Sequence, residues 1–127
     1  MLSKMKDVKH DLLTNKYTKV MHEDPMNMKY GAPHHFVVAG VTANHEPVGV
    51  LATVNFQEGP IKEVGVNGVC NEDLIAMVIC RLENFQKGDF SSRDNAMAIT
   101  KLEEALLWLR KRTIGRENRG VEGTSKI

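Results

Sequence analysis

Two successive blocks of this chain space their apolar residues three and four apart, with one short glycine-bearing break between them, and that pattern points to a helical hairpin. In the first block Leu74, Met77, Val78, Leu82 and Phe85 recur on one face, after Asn71 as N-cap and Glu72 and Asp73 in the first turn. In the second, Ala96, Ile99, Leu102, Leu106 and Leu109 form one stripe, and strong helix formers fill Lys101 to Trp108. The break is Lys87-Gly-Asp-Phe-Ser-Ser92, where Gly88 suits a left-handed turn and Ser91 or Ser92 can cap the second helix. The hairpin is expected over residues 71–119. Gly115 costs about 1 kcal/mol relative to alanine inside a helix and is a place where the second helix can stop early.

The preceding region changes period. Phe36-Val-Val-Ala-Gly-Val-Thr and Pro47-Val-Gly-Val-Leu-Ala-Thr-Val-Asn-Phe56 are rich in β-branched residues and separated by Ala43-Asn-His-Glu46, which predicts a β-hairpin. A third short strand is expected around Ile61 to Val66, after the turn Gln57-Glu-Gly-Pro60. The fold class is therefore α+β: an N-terminal antiparallel sheet of three or more strands packed with a C-terminal antiparallel two-helix hairpin. Residues 1–33 sustain neither period and are assigned to a flexible arm with a short helix around Val8 to Tyr17. Residues 34–127 are assigned to a single domain, divided into a β-meander over 34–67, the hairpin over 71–119 and a glycine-bearing tail over 120–127.

Composition narrows the function classes. A formal net charge of +1 gives no bulk attraction for nucleic acid or a membrane surface. No apolar run approaches the roughly 20 residues that span a bilayer, and no signal peptide is evident. Cys70 and Cys80 lack the number and spacing of a disulfide framework or a zinc site and are expected as free thiols in a reducing cytoplasm. His34 and His35 are neighbours that a strand would point to opposite faces, so they read as surface histidines and no metal site is assigned.

Constellations that catalyse are missing: no HExxH, Gly-x-Ser-x-Gly or phosphate-binding lysine loop occurs, and the adjacent Glu103 and Glu104 diverge by about 100° on a helix. No catalytic residue and no cofactor are assigned. Binding residues are better represented. Phe85, on the last turn of the first helix, is suited either to stacking on a base or to the core. Arg93 and Asn95 lie in the first turn of the second helix, where backbone N–H groups favour an anion. At the other end Arg110, Lys111, Arg112, Arg116 and Arg119, opposed by Glu117, carry a local charge of about +4. In the tail, Gly120 suits a helix stop, and Gly120 and Gly123 beside Arg119 and Thr124 also permit close backbone approach to a phosphate.

Three stretches carry a family resemblance: Asn55-Phe-Gln-Glu-Gly-Pro-Ile-Lys-Glu-Val-Gly-Val-Asn-Gly68; Arg81-Leu-Glu-Asn-Phe-Gln86 with Phe90-Ser-Ser-Arg-Asp-Asn95; and Leu102-Glu-Glu-Ala-Leu-Leu-Trp-Leu-Arg-Lys-Arg112 with Arg119-Gly-Val-Glu-Gly-Thr124. In order and spacing they resemble the hairpin shared by the Thoeris anti-defence sponges of bacteriophages and the anti-CBASS sponges. The resemblance implies a protein of the infected bacterial host's cytoplasm that binds, without cleaving, cyclic ADP-ribose isomers made by TIR-domain enzymes. In some members it also implies CBASS cyclic di- and trinucleotides at a separate site. It implies a protomer that dimerises through its helices, and in part of the family a hexamer built as a trimer of dimers; because Asn95 and Arg112 stand 17 residues apart on one expected helix, roughly 25 Å, a pocket holding both is expected to be shared between the chains of a homodimer. By position, it assigns the first ligand to Phe85, Phe90, Arg93, Asn95, Arg112 and Arg116. The second site falls to Arg119, Gly120, Val121, Gly123 and Thr124. The rival classes are a cyclic-nucleotide-cleaving enzyme and a small DNA- or RNA-binding module, and neither DNA, RNA nor a membrane is expected as partner.

Overall fold

A computed structural model describes residues 4–127. The chain divides into two compact units, one ending at Gly59 and including Val64–Gly68, the other formed by Pro60–Glu63 and Val69–Ile127.

The first unit is a four-stranded antiparallel sheet in the order β1 (Lys6–Asp7), β2 (Thr18–His22), β3 (His35–Val41), β4 (Pro47–Asn55). The β-branched runs at Phe36 and Pro47 become β3 and β4 as expected, paired from His35 with Asn55 to Val41 with Pro47, with irregularities after Val38 and Gly40. Two expectations fail here. Residues 4–33 are not outside the sheet, because β1 and β2 come from them. The short helix around Val8 to Tyr17 is also absent: Val8 N–H donates to Val20 O at 2.9 Å, and Asn15 takes a left-handed φ of 55° that interrupts a helix.

β2 alternates as a strand should, with Lys19 and Met21 turned inward. Lys19 is only 8% exposed, and its ammonium is paired with Asp7 at 3.2 Å, which offsets the cost of burying it. Among the described residues of this unit Met21 and Ala39 are the buried apolar ones, and Phe36 meets Phe56 edge-on with ring centres 5.4 Å apart.

The expected strand at Ile61 to Val66 is instead one helical turn, α1 (Ile61–Val64). Pro60 precedes it, and Gly65 ends it with a φ of +81°. The flanking loop is pinned by side chains in place of a ladder: Asn67 N–H donates to Gln57 Oε1 at 2.9 Å, and Gln57 Nε2–H donates to Gly65 O at 2.8 Å. Gly68 is required where it stands, since a Cβ there would lie 2.4 Å from the Phe56 carbonyl carbon.

The second unit is the helical hairpin, α2 (Asn71–Gln86) and α3 (Arg93–Asn118). The cap of α2 is Cys70, one residue before the expected Asn71, because the Asp73 carboxylate reaches back to accept the Cys70 N–H at 2.8 Å. Its inward face is also rotated from the expected one: Leu74, Ile75, Leu82 and Phe85 are half-buried and Ile79 buried, whereas Met77 and Val78 are exposed. On α3, Ile99, Leu102, Leu106 and Leu109 are half-buried as the stripe predicts, but Ala96 is exposed.

α3 begins at the Ser92 cap, whose hydroxyl accepts the Asn95 N–H at 3.0 Å. It runs unbroken through Gly115 for 26 residues, about 39 Å. Gly120 stops it, as expected. With φ at +73°, its N–H donates to Glu117 O at 3.0 Å and the Val121 N–H to Arg116 O at 3.1 Å, the paired bonds of a Schellman motif.

Candidate functional site

The candidate residues gather at the two opposite ends of the hairpin. At the turn, Gln86 and Ser92 hold each other by two hydrogen bonds of 2.9 Å, Nε2–H to the Ser92 carbonyl and Ser92 N–H to Oε1. This closes the loop so that Phe85 and Phe90 meet edge to face, with ring centres 6.0 Å apart and planes at 69°. Phe85 is half-buried, whereas Phe90 is 75% exposed. The Arg81 guanidinium lies 5.1 Å from the Phe85 ring centre. Asn95 is half-buried and donates from Nδ2 to Phe90 O at 3.1 Å, which fixes the backbone that carries the exposed ring and leaves Oδ1 as an acceptor. Arg93 and Arg112 are exposed and, among the described residues, make no ion pair or side-chain hydrogen bond.

At the far end, the cations are differently employed. Arg110 pairs with Glu117 at 3.2 Å, and Lys111 lies 4.7 Å from the Trp108 ring centre. Arg116 turns into the tail, where Nη2 donates to the carbonyls of Val121, Thr124 and Lys126 at 3.1, 3.0 and 2.9 Å. Arg119 Nη1 donates to the main-chain oxygen of Ile127 at 2.6 Å. The tail is also seated on α1: Lys62 N–H donates to Gly123 O at 2.8 Å, and Ser125 N–H to Glu63 Oε2 at 2.8 Å. Gly123 holds φ at +75° with Lys62 Cγ 2.8 Å from where a Cβ would sit, so the seat is cut to glycine.

The structure thus brings Phe85, Phe90 and Asn95 together at the turn, and Arg116, Arg119, Val121, Gly123 and Thr124 together at the tail. It brings neither Arg112 nor Arg116, both assigned to the first ligand, to the first group within one chain, and Arg116 is held by the tail carbonyls instead. Seventeen residues of continuous α3 separate Asn95 from Arg112, roughly 25 Å at 1.5 Å per residue.

Residues 50–113 match the model of the Acb2/Tad1 hairpin domain. The chain is also 55% identical over 139 aligned positions to Thoeris anti-defense 1 of Bacillus phage SBSphiJ7, covering 94% of this chain and 98% of that protein. The chain belongs to the Acb2/Tad1 hairpin family. The matched hairpin domain contains Phe85, Phe90, Arg93, Asn95 and Arg112, while Arg116 and the tail residues lie beyond it.

Four residues of these ends had no role from sequence. Arg81 stands one helical turn before Phe85, a spacing that signals cation–π contact. Gln86 gave no such signal, and Lys62 and Glu63 could not be linked to a tail sixty residues away. Both cysteines are free, and burial, followed by the charges of Asp73 and Glu72, raises the Cys70 pKa above its ordinary value, which disfavours its thiolate. Among the described residues, no helix is long and apolar enough to cross a membrane.

Proposed function

We propose that this member of the Acb2/Tad1 family is a phage anti-immune sponge, which binds a TIR-derived cyclic ADP-ribose, the 1''-3' or 1''-2' glyco-cyclic isomer, and holds it uncleaved in the infected cell's cytoplasm. Sequestration keeps the signal from the defence effector. The observation that carries this reading is the turn end of the hairpin: the edge-to-face pair of Phe85 and the exposed Phe90, a fixed amide and the first turn of a long helix, beside an uncommitted Arg93. A cyclic ADP-ribose presents an adenine face, two riboses and a pyrophosphate, and these groups can take a ring, an amide and a cationic helix start in that order. Asp94 in the same first turn is negative, so the anion is better held by Arg93 and an incoming arginine than by the bare helix end.

Arg112 supplies that arginine from a second chain. The helices leave an outward strip of exposed apolar residues, with Leu107 and Trp108 at 70% and 67% exposure, and no residue of α3 is fully buried. An antiparallel partner hairpin covers such a strip and carries its own Arg112 to the Phe85 end. The glycine-bearing tail, stapled by Arg116 and Arg119, is the site for CBASS cyclic di- or trinucleotides. Three such dimers can associate further into a hexamer.

The protein is loaded with a mixture of both cyclic ADP-ribose isomers and a cyclic trinucleotide, freed of unbound ligand and heated; the supernatant is analysed by mass spectrometry. Intact cyclic ligand supports the sponge. A linear product indicates a cleaving enzyme, and failure to retain any ligand overturns the reading. Salt-dependent capture of DNA or RNA in its place favours the nucleic-acid module.

A further inference from the structure

Three side chains from three separate segments of the sheet unit converge at one end of the strands. Glu23 follows β2, His35 opens β3 and Glu58 lies three residues beyond β4. One ligand atom of each lies within 4.8 Å of the others, and all three residues are half-buried. The sheet sets this arrangement, because Glu23 N–H donates to His35 O at 3.0 Å while His35 is paired across the ladder with Asn55. The side chains are held in turn: His34 N–H donates to Glu23 Oε1 at 2.6 Å, and Asn55 Oδ1 stands 2.9 Å from His35 Nδ1.

Hydrogen-bond polarity makes this more than a chance cluster. With Asn55 Oδ1 as acceptor, Nδ1 of His35 carries the proton, and Nε2 of the neutral ring presents its lone pair to Glu58 Oε2 at 3.5 Å. A cation relieves this facing of two acceptors: either a proton, which the hydrogen bond with Asn55 and then the charges of Glu23 and Glu58 favour by raising the His35 pKa against the smaller opposing effect of burial, or a metal ion. The separation is longer than the 2.7–2.9 Å of a charge-assisted hydrogen bond. It is close to the ~3.4 Å edge of a tetrahedron whose ligands stand ~2.1 Å from zinc. A proton also leaves the group with a net negative charge, whereas a divalent ion balances two carboxylates and a neutral imidazole. An oxygen acceptor on the far ring nitrogen, here the Asn55 amide oxygen, gives the kind of support that a metal-bound histidine uses, and the ring nitrogen disfavours magnesium and calcium.

We propose that Glu23, His35 and Glu58 bind a divalent transition metal ion of the zinc type, with Asn55 orienting His35 and the fourth position left to water. The ion ties together the ends of β2 and β3 and the segment that follows β4. It is independent of the nucleotide sites on the helical hairpin.

The test uses the full, untagged chain, stripped with a chelator and titrated with zinc chloride by calorimetry and by thermal unfolding. One zinc per chain and a rise in the unfolding midpoint that EDTA reverses are expected, with excess magnesium failing to compete. His35→Gln and Glu58→Gln should each weaken binding by more than tenfold, and Asn55→Ala by about tenfold. His34→Gln, which removes a neighbouring ring outside the group, should leave it unchanged. Where His35→Gln does not fold, Glu58→Gln and Asn55→Ala decide the matter. Absence of saturable zinc binding, or equal binding by the wild type and Glu58→Gln, overturns the proposal.

Discussion

Gln86 and Ser92 face each other across the hairpin turn through two 2.9 Å hydrogen bonds, one in each direction, and so set the path of the backbone between Phe85 and Phe90. Gln86→Ala removes both bonds at once. At about 0.5–1.5 kcal/mol each, the loss is about 1–2 kcal/mol of stability after allowing for their exposure. The expected result is a lower thermal midpoint together with weaker cyclic ADP-ribose capture, because Phe90 is no longer held. Unchanged capture in calorimetry would separate the turn from the pocket.

Phe85→Ala and Asn95→Ala act on the ligand more than on the fold. Stacking on an aromatic ring is worth about 1–3 kcal/mol per base, and a lost polar partner a similar amount, so each variant should lose about 5- to 150-fold in affinity. Phe85 is half-buried and in contact with Phe90 and Arg81, so its removal also costs some stability, while Asn95→Ala gives up the bond to Phe90 O. Circular dichroism should show both variants folded. Full affinity in both folded proteins would place the ligand elsewhere.

The tail makes a separable prediction. Gly123→Val puts a branched side chain where φ is +75° and where Lys62 Cγ already stands 2.8 Å from the new Cβ, so the tail must leave its seat. Arg119→Ala removes the donor to Ile127 O. Either change should increase hydrogen exchange over residues 121–127, weaken cyclic trinucleotide binding and spare cyclic ADP-ribose. Equal damage to both ligands in calorimetry would mean a single site.

The hairpin was legible because its signals are local. Leu102, Leu106 and Leu109 repeat over a long helix, Ser92 caps it, and Gly120 stops it, each recognisable from neighbours within a few positions. β2 was not, because one of its two inward positions is Lys19, and an inward lysine reads as polar until the distant Asp7 that neutralises it is known. Ile61 and Val64 carry strand propensity, yet Pro60 and Gly65 bracket a single helical turn and Gln57 and Asn67 tie the loop through side chains. The site divides the same way. Asn95 and Phe85 could be placed beside one another from the turn alone, whereas the use of Arg116 on three tail carbonyls depends on the path of the chain after Gly120. The adjacent His34 and His35 read from sequence as surface residues, because the partners of His35 are Glu23 and Glu58, on segments distant in the chain.

The final prediction rests on the length of α3. Asn95 and Arg112 stand on one unbroken helix, 17 residues and roughly 25 Å apart, and a single cyclic nucleotide cannot touch both in the same chain. Phe85 does not close that gap, since the turn that links α2 to α3 keeps it beside Phe90 at the Asn95 end. If Arg112 grips the ligand, it does so from a partner whose hairpin runs antiparallel, and two-fold symmetry then makes two equivalent pockets per dimer. A Phe85→Ala, Asn95→Ala double variant and an Arg112→Ala variant should each fail to capture ligand alone. A heterodimer of the two contains one pocket with every residue intact and one with all three removed. With random pairing, half of the dimers are mixed and each carries one working pocket of two, so capture should return to about a quarter of the wild-type pocket number. Subunit exchange is confirmed by mass spectrometry of the intact dimers, and calorimetry then counts the sites. No recovery in a mixture shown to contain heterodimers would mean that Arg112 and Asn95 do not share a pocket.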